Sequence, residues 1–266
     1  MLKERAEQRE KAIHAKELLE AKGKEAEKAL LEKIGEKKEK LEGKYDMTYL
    51  CHHVMTASKD MIAHVIERKS IDSRRIVLWG TSLSGGYVLD LAAQLKNVQA
   101  IMVQVPFVDG TESAKLFPLQ QLPTALKISS QDYMGAKVGM SPKTLPVVSK
   151  KGLCFMPTAD SYEGYLSIVH PDYYWSGEIP ARVFFNLIRY RPIQYVRKIS
   201  VPVLFIASKQ DSLIPIESSR ETATNIAPYV QYHEWDMQHF DIYHGQWFEK
   251  AISTQLEFLH QHIGVS

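Results

Sequence analysis

At 266 residues, with 45% hydrophobic and 24% charged side chains, the chain carries enough apolar material for one large α/β domain or a smaller core with an insertion. A formal net charge of +2 and the lack of a basic, aromatic-interleaved stretch give no reason to expect nucleic acid as a partner. No apolar run approaches the roughly 18 residues that would cross a membrane, and the first residues hold no apolar signal core, so no membrane partner and a cytoplasmic location are expected.

Residues 1 to 45 differ from everything after them. They hold 13 Lys or Arg and 11 Glu, no Pro, and an apolar content made mostly of Ala and Leu, which is helix composition. Glu and Lys recur at spacings of three and four, while Ala15, Leu19, Ala26, Leu30, Ile34 and Leu41 form a thin apolar stripe. Gly23, Gly35 and Gly43 weaken it, so a charged, solvated helical extension over 1–45 is expected rather than a coiled coil. Two cysteines, Cys51 and Cys154, are too few and too far apart for a disulfide framework, which fits a reducing compartment. Cys51-His52-His53 has no second ligand cluster, and adjacent residues point in different directions, so no metal is expected there.

From Asp46 the composition turns globular. Met61, Ile62, Val65 and Ile66 give Ala57 to Arg68 the period of an amphipathic helix. Ile76 to Trp79 is apolar without alternation, as in a strand buried on both faces, and it runs straight into Gly80-Thr81-Ser82-Leu83-Ser84-Gly85-Gly86 and a helical pattern from Tyr87. Strand, tight turn with a central Ser, and helix are the setting of a nucleophile elbow, where small neighbours let the chain turn sharply enough to lift a hydroxyl clear of the sheet. Ser84 stands where the usual pattern has its last Gly. Glycine-rich strand-to-helix turns also bind phosphate, but this one has neither Gly-x-Gly-x-x-Gly nor Gly-Lys-Ser/Thr.

Val98 to Val105 reads as a second buried strand, ending in Pro106-Phe107-Val108-Asp109-Gly110. Residues 112 to 198 break the strand–helix rhythm with dense aromatic and Met residues among prolines and glycines, and only Glu178 to Tyr190 reads there as a helix. The rhythm returns with strands at Val201 to Ala207 and Val230 to Trp235, helices near Ser218 to Ile226 and Gln246 to His262, and loops carrying Asp211 and His239. This alternation predicts a mostly parallel α/β sheet with helices on both faces, whose chemistry collects at the carboxyl ends of the strands.

A Ser hydroxyl needs an imidazole to take its proton and a carboxylate to orient that imidazole. Ser82, Asp211 and His239 follow strand ends in that order. Taken singly, Asp211 has a bland reading as a helix cap and His239 as a loop histidine. Asp109 also follows a strand and precedes His239, so it is the alternative acid. No cofactor or metal enters this scheme.

Gly80-Thr81-Ser82-Leu83-Ser84-Gly85-Gly86, Gln104-Val105-Pro106-Phe107-Val108-Asp109-Gly110, Tyr190-Arg191-Pro192, Asp211-Ser212-Leu213-Ile214-Pro215 and His239-Phe240-Asp241-Ile242-Tyr243 together resemble the α/β-hydrolase superfamily. More narrowly they resemble its fungal and bacterial branch of polyketide transferases and dienelactone-hydrolase-like esterases. The resemblance runs from about Ala57 to the C-terminus. It implies a triad of Ser82 as nucleophile, His239 as general base and Asp211 as orienting acid, a core over 46–111 and 199–266, and a lid over 112–198. A serine hydrolase or acyltransferase is then expected, acting through an acyl-enzyme on a small carboxylic ester or thioester, with secondary metabolism as its setting. The dense aromatic and Met side chains of 112–198 are expected to form either an apolar acyl pocket or a small satellite core that merely stabilises the insertion.

Members of that superfamily place several strands ahead of the elbow strand, and a loop after one of them donates the second backbone N–H of the oxyanion hole. With Ile13 and Ile34 as their only β-branched residues, residues 1–45 do not read as those strands. Leu83 N–H serves as the first donor, and no second is legible. A sheet that starts at its elbow strand has an unpaired edge, from which self-association, marginal stability and weak turnover are expected. The alternative function is a catalytically impaired relic or interaction protein that kept the triad.

Overall fold

The computed structural model describes residues 58–68, 71–170 and 176–264, all within the unit Asp46–Ser266. The charged extension 1–45 and the Cys51-His52-His53 run lie outside the described residues. Residues 58–67 are helical, and in chain order there follow β1 (Val77–Thr81), α1 (Ser82–Ala92), β2 (Ala100–Gln104), α2 (Gly110–Ala114), α3 (Leu122–Lys137), β3 (Thr144–Pro146) and α4 (Ser161–Ile168). Then come β4 (Glu178–Pro180), α5 (Val183–Arg189), β5 (Val203–Ser208), α6 (Ile216–Ile226), β6 (Val230–Trp235) and α7 (Gly245–Ile263).

The main sheet is parallel throughout, in the order β1-β2-β5-β6. Why the strands read as unbroken apolar runs is visible in how their side chains divide. Ile101, Val103, Val203 and Phe205 pack on one face with Leu89 of α1 and Ile226 of α6, while Ala100, Met102, Leu204 and Ile206 pack on the other with Phe258 of α7. Period-two alternation therefore sends apolar side chains into two cores at once, and no solvent face is left to show as polar positions. Among the described residues, β1 is paired on one side only, and Trp79 in its middle is 48% exposed.

Between β2 and β5 lies the insertion, where β3 and β4 form a separate antiparallel pair. Its helices were the hardest to read. The stretch expected to be one helix from Glu178 is strand β4 up to Pro180, pairing Ile179 with Leu145, and helical only from Val183. Helix α3 leaves no apolar period in the sequence, because its buried face is Ala125, Ser129 and Asp132, small and polar rather than apolar. Asp132 is held by Arg182, whose backbone N–H donates to it at 2.9 Å and whose guanidinium lies 3.3 Å away with both side chains buried. Lys143 N–H donates to the other carboxylate oxygen at 2.8 Å, so this polar centre is bonded from two directions and ties α3 to β3 and α5.

Candidate active site

β1 ends in Thr81, whose extended backbone caps α1, and the next residue, Ser82, has φ of 49°, a left-handed value that non-glycine residues seldom adopt. That turn holds because the surrounding structure determines it. Ser84 Oγ accepts a hydrogen bond from Thr81 N–H at 3.0 Å and donates to Thr81 C=O at 2.8 Å, closing the turn on itself. The Ser in place of the pattern's last Gly thus fastens the turn. Gly86 lets α1 pass the loop after β2, since a Cβ there would lie 2.3 Å from the Phe107 carbonyl oxygen. Phe107 N–H in turn donates to Ser82 C=O at 2.8 Å.

The three residues singled out from the sequence meet above the carboxyl ends of β1, β5 and β6. His239 Nδ1 lies 2.7 Å from Asp211 Oδ2, and His239 Nε2 lies 3.1 Å from Ser82 Oγ. Asp211 and the His239 ring are both buried. The second carboxylate oxygen, Oδ1, accepts the N–H groups of Leu213 and Ile214 at 2.9 Å each, which fixes the carboxylate plane. Because a carboxylate only accepts, a neutral imidazole here carries its hydrogen on Nδ1 and turns the Nε2 lone pair to the Ser82 hydroxyl. Leu83 N–H belongs to the first turn of α1, where helix N–H groups have no intrahelical acceptor and the helix dipole is positive.

Asp109, the alternative acid, is committed elsewhere. It caps α2 by accepting from Thr111 N–H at 2.9 Å, and it holds Arg191 through two hydrogen bonds, Nε at 2.9 Å and the terminal nitrogen at 2.7 Å. The Tyr190-Arg191-Pro192 motif is thereby explained: its arginine closes the end of the insertion onto the loop after β2.

Over Ser82 and Leu83 opens a cavity of about 400 Å³. Phe117, Phe155, Met156, Ile179, Phe184 and Leu187 of the insertion contribute to its walls, with Phe107 and Tyr243 from the sheet end. The insertion is tied to the acid loop by Asp160, whose Oδ1 accepts from the hydroxyls of Thr158 at 2.9 Å and Ser212 at 2.6 Å. Nothing in the sequence pairs Asp160 with Ser212, 52 residues apart, and only the fold does. Thr81 and Tyr243, whose hydroxyls meet beside Ser82 at 2.6 Å, were likewise visible only as letters within motifs. Among the described residues no group of three or more His, Cys, Asp or Glu could hold a metal ion, and no helix is long and apolar enough to cross a membrane. Cys154 is buried, and burial pushes its thiol pKa up.

No family model matches the chain. Over 203 residues, 76% of this chain, it is 32% identical to the quorum-quenching protein AidA of Acinetobacter baumannii (strain MDR-ZJ06), and the match spans 66% of that relative's length. Among solved structures, the alpha/beta hydrolase GrgF from Penicillium sp. sh18 has a TM-score of 0.67 at 20% identity, covering 84% of this chain and 74% of its own. The monoacylglycerol lipase of Paleococcus ferrophilus has a TM-score of 0.56 at 16% identity, covering 83% of this chain and 77% of its own. At such identities the solved structures speak to fold alone. The described residues thus share the α/β-hydrolase fold, with a parallel sheet and a strained strand-to-helix turn at Ser82.

Proposed function

We propose that the protein is a serine hydrolase or acyltransferase that works on a small, lipophilic carboxylic ester or thioester through an acyl-enzyme. The observation that carries this reading is the pair of hydrogen bonds joining Ser82, His239 and Asp211 at the floor of an apolar cavity. Ser82 Oγ attacks the acyl carbon while His239 Nε2 takes the hydroxyl proton, and Asp211 balances the imidazolium that results. Leu83 N–H holds the oxygen of the tetrahedral intermediate. Its collapse expels the alkoxide or thiolate, which receives the proton from His239. Water or an alcohol then gives a proton to His239, attacks the acyl-enzyme and frees Ser82. The quorum-quenching role of the 32% identical relative extends to this chain as part of the same proposal, and small signal molecules that carry an ester or thioester are the substrates to screen.

The test is fluorophosphonate labelling together with turnover of aryl esters of increasing acyl length. Labelling and turnover that vanish in Ser82→Ala, with efficiency rising from acetyl to longer acyl groups, are expected. Turnover retained in Ser82→Ala sinks the mechanism, and a flat chain-length series sinks the lipophilic pocket. The second reading is a relic or interaction protein that kept this arrangement without turnover. Absence of Ser82-dependent turnover and labelling in folded protein would establish it.

A further inference from the structure

Two hydroxyls beside the nucleophile hold one hydrogen more than their mutual contact uses. Thr81 Oγ1 and Tyr243 Oη lie 2.6 Å apart, and both residues line the cavity with Ser82 and Leu83. The oxygen of Thr81 already accepts, because Gln104 Nε2 donates to it at 3.3 Å. Gln104 is held in that orientation by Gln255, whose Nε2 donates to Gln104 Oε1 at 2.9 Å in a buried contact. Burial raises the Tyr243 pKa, so its phenol keeps its proton. The pair therefore brings two hydroxyl hydrogens, the 2.6 Å contact takes one, and the other has no acceptor among the described residues. Other cavity hydroxyls near the elbow and the acid loop are engaged: Ser84 donates to Thr81 C=O, and Ser212 donates to Asp160. A hydroxyl hydrogen that faces the cavity with no protein acceptor is available to a substrate oxygen arriving at Ser82.

We infer that the Thr81–Tyr243 hydroxyl pair donates this hydrogen to the acyl oxygen of substrate bound at Ser82, acting with Leu83 N–H as a second, side-chain donor of the oxyanion hole. The inference rests on the acyl-enzyme reading above. It makes an unusual demand on mutants. In Tyr243→Phe the Thr81 hydroxyl keeps its own hydrogen, now free for the substrate, and in Thr81→Val the Tyr243 hydroxyl does the same. Each hydroxyl substitutes for the other, so the donor is lost only when both are removed.

The experiment measures kcat and KM for an aryl ester with Thr81→Val, Tyr243→Phe and the double variant. Each single change is expected to lower kcat by less than about 10-fold, and the double by about 10² to 10³-fold, more than the product of the singles, with KM little changed. Tyr243→Phe combined with Thr81→Ser retains a hydroxyl and stays at the level of the single variants. A double variant no worse than the product of the singles, or a loss confined to KM, overturns the inference. Folding is followed by circular dichroism, and if the Val double variant fails to fold, Thr81→Ala with Tyr243→Phe removes the same hydrogens with less bulk. Ser82-dependent turnover in the wild type with an unimpaired double variant sinks this inference alone. Folded wild-type protein without Ser82-dependent turnover sinks it together with the functional reading.

Discussion

Asp109 and Asp211 both follow a strand of one parallel sheet, and what separates them is the group each faces. Asp211 receives the His239 imidazole on one oxygen and two backbone N–H groups on the other, whereas Asp109 caps a helix and grips Arg191. Asp211→Asn presents an amide that disfavours the required tautomer, and a drop of about 10⁴ in kcat with the fold intact is expected. Asp109→Asn loses the paired carboxylate charge opposite Arg191, so a lowered melting temperature and a much smaller change in kcat are expected. Steady-state kinetics and thermal melts on the two proteins check this, and equal kinetic losses would contradict the assignment of the acid.

At the scale of elements, the insertion is held to the site by α4 as well as by Asp160. Gly164 of α4 abuts Phe240, where a Cβ would sit 2.4 Å from the ring, and the Phe240 ring packs edge-on against His239 with centroids 5.0 Å apart. Gly164→Ala is expected to push Phe240 against His239 and lower turnover by about 10-fold or more while the sheet stays folded, because displacement of a positioned group by a fraction of an ångström is felt in rate before stability. Kinetics beside far-ultraviolet circular dichroism tests it. Strand β6 supplies a pH dependence. Burial, and then the charge of Lys250, hold His233 below its ordinary pKa, and Gln231 Nε2 lies 3.0 Å from His233 Nε2, where it donates to the neutral ring. The unfolded chain thus takes up this proton more readily than the folded one. This contribution to stability is full above the ordinary histidine value and is lost as pH falls below it. Melting temperature followed from about pH 7 to pH 5 should fall less steeply in His233→Gln than in the wild type.

For the molecule as a whole, the open question is the edge of the sheet. Among the described residues β1 bonds to β2 alone, with Trp79 half exposed, and an unpaired strand of this kind is a template for a second chain. Concentration-dependent self-association by light scattering is the expected outcome, and Trp79→Lys, a charge on the edge, should remove it. A wild-type protein that is monomeric at all concentrations would contradict this expectation.

What the sequence by itself determined follows from short-range rules. Buried parallel strands have no solvent face, so Ile76 to Trp79 and Val201 to Ala207 announce themselves as apolar runs, and a sharp strand-to-helix turn needs small residues, so the elbow at Ser82 is legible from its neighbours. Chain order then put an acid and a histidine after later strands. Tertiary structure alone brings Asp211 rather than Asp109 to His239, because both satisfy the local pattern and Asp109 is taken by Arg191 from 82 residues away. It also decided the insertion, where α3 buries Ser129 and Asp132 against Ala181 and Arg182, contacts that span 52 and 50 residues and leave no apolar period to read. The pairing of Thr81 with Tyr243 spans 162 residues, and a hydrogen bond at that separation exists only once the sheet brings the first strand and the loop after the last one side by side.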